Sequence, residues 1–161
     1  MAEQRFEGRP IGYVKVSTGR TTLQIDEPLR PALEGLDGFG HVVVVFWCHL
    51  ADTGEDRAIT TCDRPYTNGP ERLGVFATRS PARPNPIGIT SVSILDIDPA
   101  QGTIHVPFLD AEDGTPILDL KPYQPSLDRI RDVRVPAWCA HWPQWSEDSG
   151  TFDWAVEFTF S

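Results

Sequence analysis

No apolar run in the 161 residues approaches the ~18 needed to cross a bilayer. The longest, residues 42–47, is far too short. The polar start, residues 1–10, lacks the apolar heart of a signal peptide, which predicts a cytoplasmic protein. Cysteine is scarce: Cys48, Cys62 and Cys139 are odd in number and widely spaced, so they read as reduced thiols and not as a disulfide framework. Cations are outnumbered, with 14 Lys+Arg against 23 Asp+Glu and a net charge of −9. That balance disfavours tight nucleic-acid binding through a broad basic face. It leaves room for a local arginine cluster, especially one completed by a second subunit, and an acidic interior tolerates a cationic cofactor. G-x-S-x-G, P-loop and G-x-G-x-x-G strings are all missing, so serine-hydrolase, NTPase and Rossmann readings have no support. Zinc spacing is missing too. His41 and His49 lie eight apart at the two ends of one apolar run, where capping the strand or a local hydrogen bond explains each better than metal does.

What is present is strand and turn. Fifteen prolines and 13 glycines are spread along the chain, and no helical period is sustained beyond about ten residues. The best short helix is residues 31–36. Residues 11–16 and 21–25 flank a Ser-Thr-Gly turn and predict a hairpin. Residues 42–46 are continuously apolar, as in a strand buried on both faces. Residues 87–97 and 103–106 are rich in β-branched side chains, with 98–102 as the turn between them. Near the C-terminus Phe152, Trp154, Val156, Phe158 and Phe160 alternate with polar or small residues, which predicts a half-buried strand. Many short strands with frequent turns point to an all-β barrel or sandwich, and no composition shift marks a linker, so residues 1–161 read as one domain.

Two segments look chemical. In LGVFATRSPARPNPIGIT (residues 73–90), three prolines in six residues stiffen a loop that presents Arg79, Ser80, Arg83 and Asn85. Guanidinium forks suit carboxylates and phosphates, and an amide can read a base edge. A plain proline-stiffened β-connection with surface arginines explains the same string. In FLDAEDGTPILDLKPY (residues 108–123), Asp110, Glu112 and Asp113 crowd ahead of a glycine turn, while Asp119 and Lys121 share a strand face at ion-pair distance. The acidic group is better explained as a turn than as a metal site, because no EF-hand loop follows it. Trp138, Trp142, Trp145 and Trp154 could stack bases, but closing a small core or a subunit interface is the better reading.

PIGYVKV, GLDGFGHVVVVFWCH, GVFATRSPARPNPIGIT and DAEDGTPILDLKPY occur in this order over residues 10–123, and together they resemble the TsaA-like (TrmO-type) family. The founding activity of that family is N6-methylation of tRNA with S-adenosylmethionine. The resemblance implies a compact, single-domain β-barrel with little helix, unrelated to Rossmann methyltransferases, followed by a strand-rich tail at 124–161. It also implies a homodimer with cofactor sites at or near the subunit interface, and methyl transfer to a threonylcarbamoyl-adenosine beside the anticodon; the absence of zinc spacing and the turn reading of the acidic cluster predict that no metal is needed. Carried over by position, the cofactor residues are Cys48, His49, Leu50, Arg79, Ile89, Pro107, Phe108, Leu109 and Asp110. Arg79 suits the carboxylate, Asp110 an amine or ribose hydroxyl, and a site of negative or aromatic character suits the sulfonium. Arg83, Asn85 and Lys121 are candidates for holding the acceptor. Asp113, Asp119, Tyr123 and His41 are open candidates for taking its proton. Where tRNA-modifying members carry Pro-Arg-Gln, this chain reads Ser17-Thr18-Gly19-Arg20, with Arg20 as a stand-in, and the second C-terminal domain of longer members has no counterpart before Ser161. A small-molecule acceptor and a non-catalytic cofactor sensor are the rival readings.

Overall fold

The computed structural model describes residues 7–159. Met1–Phe6, part of the start on which the absence of an export signal was read, and Phe160, expected on a last strand, lie outside the described residues.

The expected hairpin forms from β1 (Gly12–Ser17) and β2 (Arg20–Ile25), in register from Gly12↔Ile25 to Ser17↔Arg20. Its two-residue turn puts Gly19 at φ 74, a left-handed conformation that costs glycine nothing sterically. The apolar run becomes β3 (His41–Trp47), and the later strands are β4 (Thr61–Asp63), β5 (Arg72–Gly74), β6 (Ile87–Ser93), β7 (Asp96–Asp98), β8 (Thr103–Val106) and β9 (Pro116–Pro122). Seven strands make one antiparallel sheet in the order β6-β3-β9-β1-β2-β8-β7, and β4 pairs with β5 separately. Central placement explains the burial of β3, whose Val42, Val44 and Phe46 are at most 4% exposed. They pack with Val14, Leu23, Ile104, Val106 and Ile117 into one aliphatic core, each side chain contributing about 1.5–3 kcal/mol by leaving water.

The strand expected over 87–97 divides. β3 begins at His41, so β6 runs out of partner at Ser93. Ile94 N–H donates to the Gly40 carbonyl (2.9 Å), and the next residue, Leu95, donates to His105 on β8 (2.8 Å). Adjacent residues thus bond to opposite ends of the sheet, which must curl to bring those ends to one corner. No ladder joins β6 to β7 among the described residues, and the fold is a large, curled, mostly β antiparallel sheet.

Helix is short and mostly of the 3₁₀ type. The expected helix at 31–36 is replaced by 3₁₀ turns at Glu27–Leu33 and Leu36–Gly38, since prolines at 28 and 31 remove the amide donors an α-helix would need. The C-terminal strand does not form. Residues Ser146–Thr151 and Trp154–Val156 are 3₁₀ turns, the second started by the Asp153 carboxylate accepting from Ala155 N–H (3.2 Å). The strand-rich tail expected at 124–161 is therefore, over the described residues 124–159, a run of turns and one four-residue helix, Pro125–Asp128. Alternation there reflects ring packing: Trp138, Trp142, Phe152, Trp154 and Phe158 interlock around Tyr66, while Trp145 is 60% exposed. None of the helices among the described residues is long and apolar enough to cross a membrane.

Candidate functional site

At the Cys48 end of β3 a cavity of about 1020 Å³ opens between three stretches of chain, residues 46–51, 76–90 and 108–115. The first stretch leaves β3 through Cys48, whose N–H donates to the Pro86 carbonyl (2.7 Å), and turns at His49–Ala51. The second is the proline-stiffened loop. Thr78, buried, donates its hydroxyl to the Val75 carbonyl (2.8 Å) and accepts from Ser80 N–H (3.2 Å), so the backbone is fixed on both sides of Arg79. Arg79 is exposed and bonds one guanidinium nitrogen to the Ile89 carbonyl (3.3 Å), leaving its other donors for a ligand. The third stretch anchors through buried Leu109 and Thr115, with Asp110 exposed between them.

Ten of the residues picked from sequence line this cavity: Cys48, His49, Leu50, Arg79, Arg83, Asn85, Ile89, Phe108, Leu109 and Asp110. Pro107 adjoins the wall without lining it. Arg83 is less free than expected, because it donates to the Thr78 carbonyl (3.2 Å) and lies over the Phe76 ring at 5.9 Å. His49 approaches the Thr115 hydroxyl at 3.4 Å through Nδ1. Burial pushes the Cys48 thiol above its usual range; Asp110 adds to the rise and Arg83 opposes it, so all three share one field.

The remaining candidates are elsewhere. Asp113 is outside the cavity wall, its carboxylate accepting from Val16 N–H at 2.8 Å. Asp119 is paired with Lys121 at 2.7 Å and lines a separate apolar groove of about 340 Å³ with Leu36 and Phe39. Tyr123 donates its N–H to the His41 carbonyl (3.1 Å), their rings 6.1 Å apart, at the opposite end of β3 from Cys48. Arg20 closes the β1–β2 hairpin and is also outside the cavity wall. Sequence reading missed Phe76, Thr78, Gly88, Glu112 and Thr115, all in the wall. All five sat inside the quoted motifs, Glu112 in the acidic cluster, and could have been found there. Nothing in the sequence announced the brace beneath the loop, in which Asp52 accepts from Trp47 Nε1 (2.9 Å) and Arg57 (3.1 Å) while Arg57 donates to the Pro84 carbonyl (3.1 Å).

Residues 3–129 match the model of the tRNA-methyltransferase O N-terminal domain. The chain belongs to that family. Within it, a probable S-adenosyl-L-methionine-binding protein of Methanothermobacter thermautotrophicus is 31% identical, the match covering 81% of this chain and 98% of the archaeal protein. The tRNA (adenine(37)-N6)-methyltransferase of Escherichia coli K12 is 32% identical over 94% of this chain. The crystal structure of TrmO from Pseudomonas aeruginosa superposes with a TM-score of 0.64 at 30% identity over 84% of this chain. The chain spans 61% of the E. coli enzyme's length and 62% of the Pseudomonas chain. The cavity-lining motifs of this tRNA-methyltransferase O N-terminal domain all fall inside the matched residues.

Proposed function

We propose that this chain is an S-adenosyl-L-methionine-dependent methyltransferase that binds its cofactor in the Cys48-end cavity and methylates N6 of a tRNA adenosine. The observation carrying it is that ten cofactor and acceptor candidates, drawn from three distant stretches, share one cavity. The donor set suits the cofactor's chemistry. Arg79 offers a charge-assisted pair to a carboxylate, Asp110 accepts from an amine or hydroxyls, and Phe46, Ile87, Ile89 and Phe108 supply apolar walls for a purine. Bound there, adenosylmethionine supplies an electrophilic methyl group on a cationic sulfur. The protein's part is positioning and exclusion of water, with no covalent step required of it. The acceptor nitrogen must lose a proton, and Asp110, Glu112 and His49 are the cavity groups able to receive one; this moves the search away from Asp113, Asp119, Tyr123 and His41.

The reading includes a homodimer. Leu50, Phe76, Ile87, Ile89 and Phe108 around the cavity are 46–81% exposed, and β6 is the outermost strand of the sheet at that end. A second copy laid on this rim would cover the apolar patch and the free edge together. Acidic charge does not bar an RNA substrate. Arg129, Arg131 and Arg134 stand exposed on one segment and form no ion pair among the described residues.

Methyl transfer from labelled cofactor to bulk tRNA, and in parallel to a metabolite extract, tests the acceptor. Label in tRNA that depends on Arg79 supports the reading. Label only in the extract replaces tRNA by a small molecule, and tight cofactor binding with no label in either makes the protein a sensor.

A further inference from the structure

We propose that Arg57 is a positioning residue for Asn85, and that by fixing the 83–86 stretch of the proline loop it sets how well the methyl acceptor is held without altering the hold on the cofactor. This rests on the reading of Arg83 and Asn85 as acceptor contacts.

Prolines at 81, 84 and 86 carry no N–H, so this part of the loop has few backbone donors with which to anchor itself. Its carbonyls are the handles that remain, and donors must come to them from elsewhere. Two buried residues pin the loop. Thr78 ties the backbone on both sides of Arg79, and Pro86 gives its carbonyl to Cys48 N–H (2.7 Å). From Ser80 to Asn85 the hydrogen bonds stay within the 73–90 segment, with one exception among the described residues. Arg57 Nε donates to the Pro84 carbonyl (3.1 Å). Asn85 comes next in the chain. It is exposed in the cavity wall, and its side-chain amide makes no hydrogen bond among the described residues, so a donor and an acceptor are free for a ligand. Its aim is set by Pro86, which is buried, and by Pro84, which Arg57 holds.

Arg57 is itself held from several sides. It ends the four-residue helix Gly54–Arg57, started by Thr53 Oγ1 accepting from Asp56 N–H (3.0 Å). Its guanidinium lies over the Trp47 ring at 5.8 Å and donates Nη1 to Asp52 (3.1 Å), which in turn accepts from Trp47 Nε1 (2.9 Å). A planar fork meets a carboxylate, a carbonyl and a ring face together, which an ammonium point charge does not. Trp47, the last residue of β3, thus reaches the Pro84 carbonyl through Asp52 and Arg57. The groups assigned to the cofactor hang on other anchors, Arg79 on Thr78 and Ile89 on the β3–β6 ladder.

The test is a double-mutant cycle on the full chain. Wild type, Arg57→Ala, Asn85→Ala, the double variant and Arg57→Lys are compared by calorimetric titration with S-adenosylhomocysteine, by steady-state methyl transfer to bulk tRNA, and by hydrogen exchange over residues 79–87. Arg57→Ala should raise KM for tRNA about 3- to 10-fold while S-adenosylhomocysteine affinity stays within about twofold. Exchange over 79–87 should quicken, with the rest of the sheet unchanged. In the Asn85→Ala background the same substitution should raise KM by less than about twofold, because the group it positions is gone. Arg57→Lys keeps the charge and loses the fork, so it should behave like Arg57→Ala. Weakening of cofactor and acceptor alike, additivity with Asn85→Ala, full recovery in Arg57→Lys, or exchange no faster than in wild type overturns the inference. If Asn85→Ala itself leaves KM intact, or wild type puts no label into tRNA, the acceptor reading fails instead, and the inference with it.

Discussion

The two ends of β3 are seven residues apart in sequence and opposite in character. At the Cys48 end the strand leaves the sheet into a cavity walled by three separated stretches, with Arg79, Asp110 and Glu112 exposed in it. Along the neighbouring strand β9 polar groups are engaged locally: Asp119, opposite Val45, pairs with Lys121, and toward the His41 end the Tyr123 backbone N–H donates to the His41 carbonyl. The cavity end keeps polar groups in reserve, and β9 uses them up locally. A titratable side chain near a motif is thus no guide to chemistry until its partners are known, and the motif DLKPY at residues 119–123 shows this. Its Asp119, Lys121 and Tyr123 were candidates, and none of them lines the cavity.

The sharpest way to break the contrast is to fill the cavity end. A side chain at Gly88 would start 2.2 Å from the Phe46 ring, so Gly88→Leu should destabilise by about 1–3 kcal/mol or more and abolish cofactor binding, read by thermal melting and calorimetry. Chemical reactivity gives a smaller signal from the same end. Because burial and Asp110 raise the Cys48 thiol, its alkylation by iodoacetamide should reach half-maximal rate at a higher pH than that of an unhindered cysteine in a short peptide. Asp110→Asn should lower that midpoint and Arg83→Ala should raise it, followed by peptide mass spectrometry.

The tail, which packs on Tyr66 and Thr67, adds an acid-sensitive element. Hydrogen bonds from His141 and then Trp142 hold the Glu157 carboxyl below its usual value, so its stabilising share is present at neutral pH and is lost as pH falls through the carboxylate range to that lowered value. The melting temperature of the wild type should therefore drop more steeply from pH 6 to 3 than that of Glu157→Gln; parallel curves would remove this role. Smallest of all should be the far end. Asp119→Asn, Tyr123→Phe and His41→Ala should each leave methyl transfer within about twofold, since an exposed pair such as Asp119–Lys121 contributes only about 0–1 kcal/mol. Turnover lost with cofactor binding intact would place that end in the reaction after all.

The hairpin, β3, β8 and the Asp98–Gly102 turn were all legible, because period-two burial and turn chemistry are local properties of the chain. The cavity was half legible: its stretches were recognisable as strings, but their convergence depends on β6 and β9 flanking β3, and strand order is not written locally. The tail was misread for a physical reason. Aromatic residues at alternate positions satisfy the pattern of a strand, yet here they pack ring on ring, Phe152 on Trp154, Trp154 on Trp142 and Phe158, and Phe158 on Tyr66, and nothing in the sequence supplied the partner strand that a ladder needs. The division of 87–97 at Ile94–Leu95 was hidden likewise, since it is set by where β3 begins.

The place of β9 has a consequence during synthesis. It pairs with both β3 and β1, and among the described residues no other strand ladders both to the β6–β3 pair and to the β1–β2 hairpin. On a ribosome adding about 5–20 residues per second, several seconds separate the emergence of β3 from that of β9. Throughout that interval His41–Trp47, six of its seven residues apolar, presents an unpaired edge to its surroundings. The stretch that completes the cavity, 108–115, emerges just before β9, so the nascent chain exposes its most adhesive segment until the moment its binding site can close.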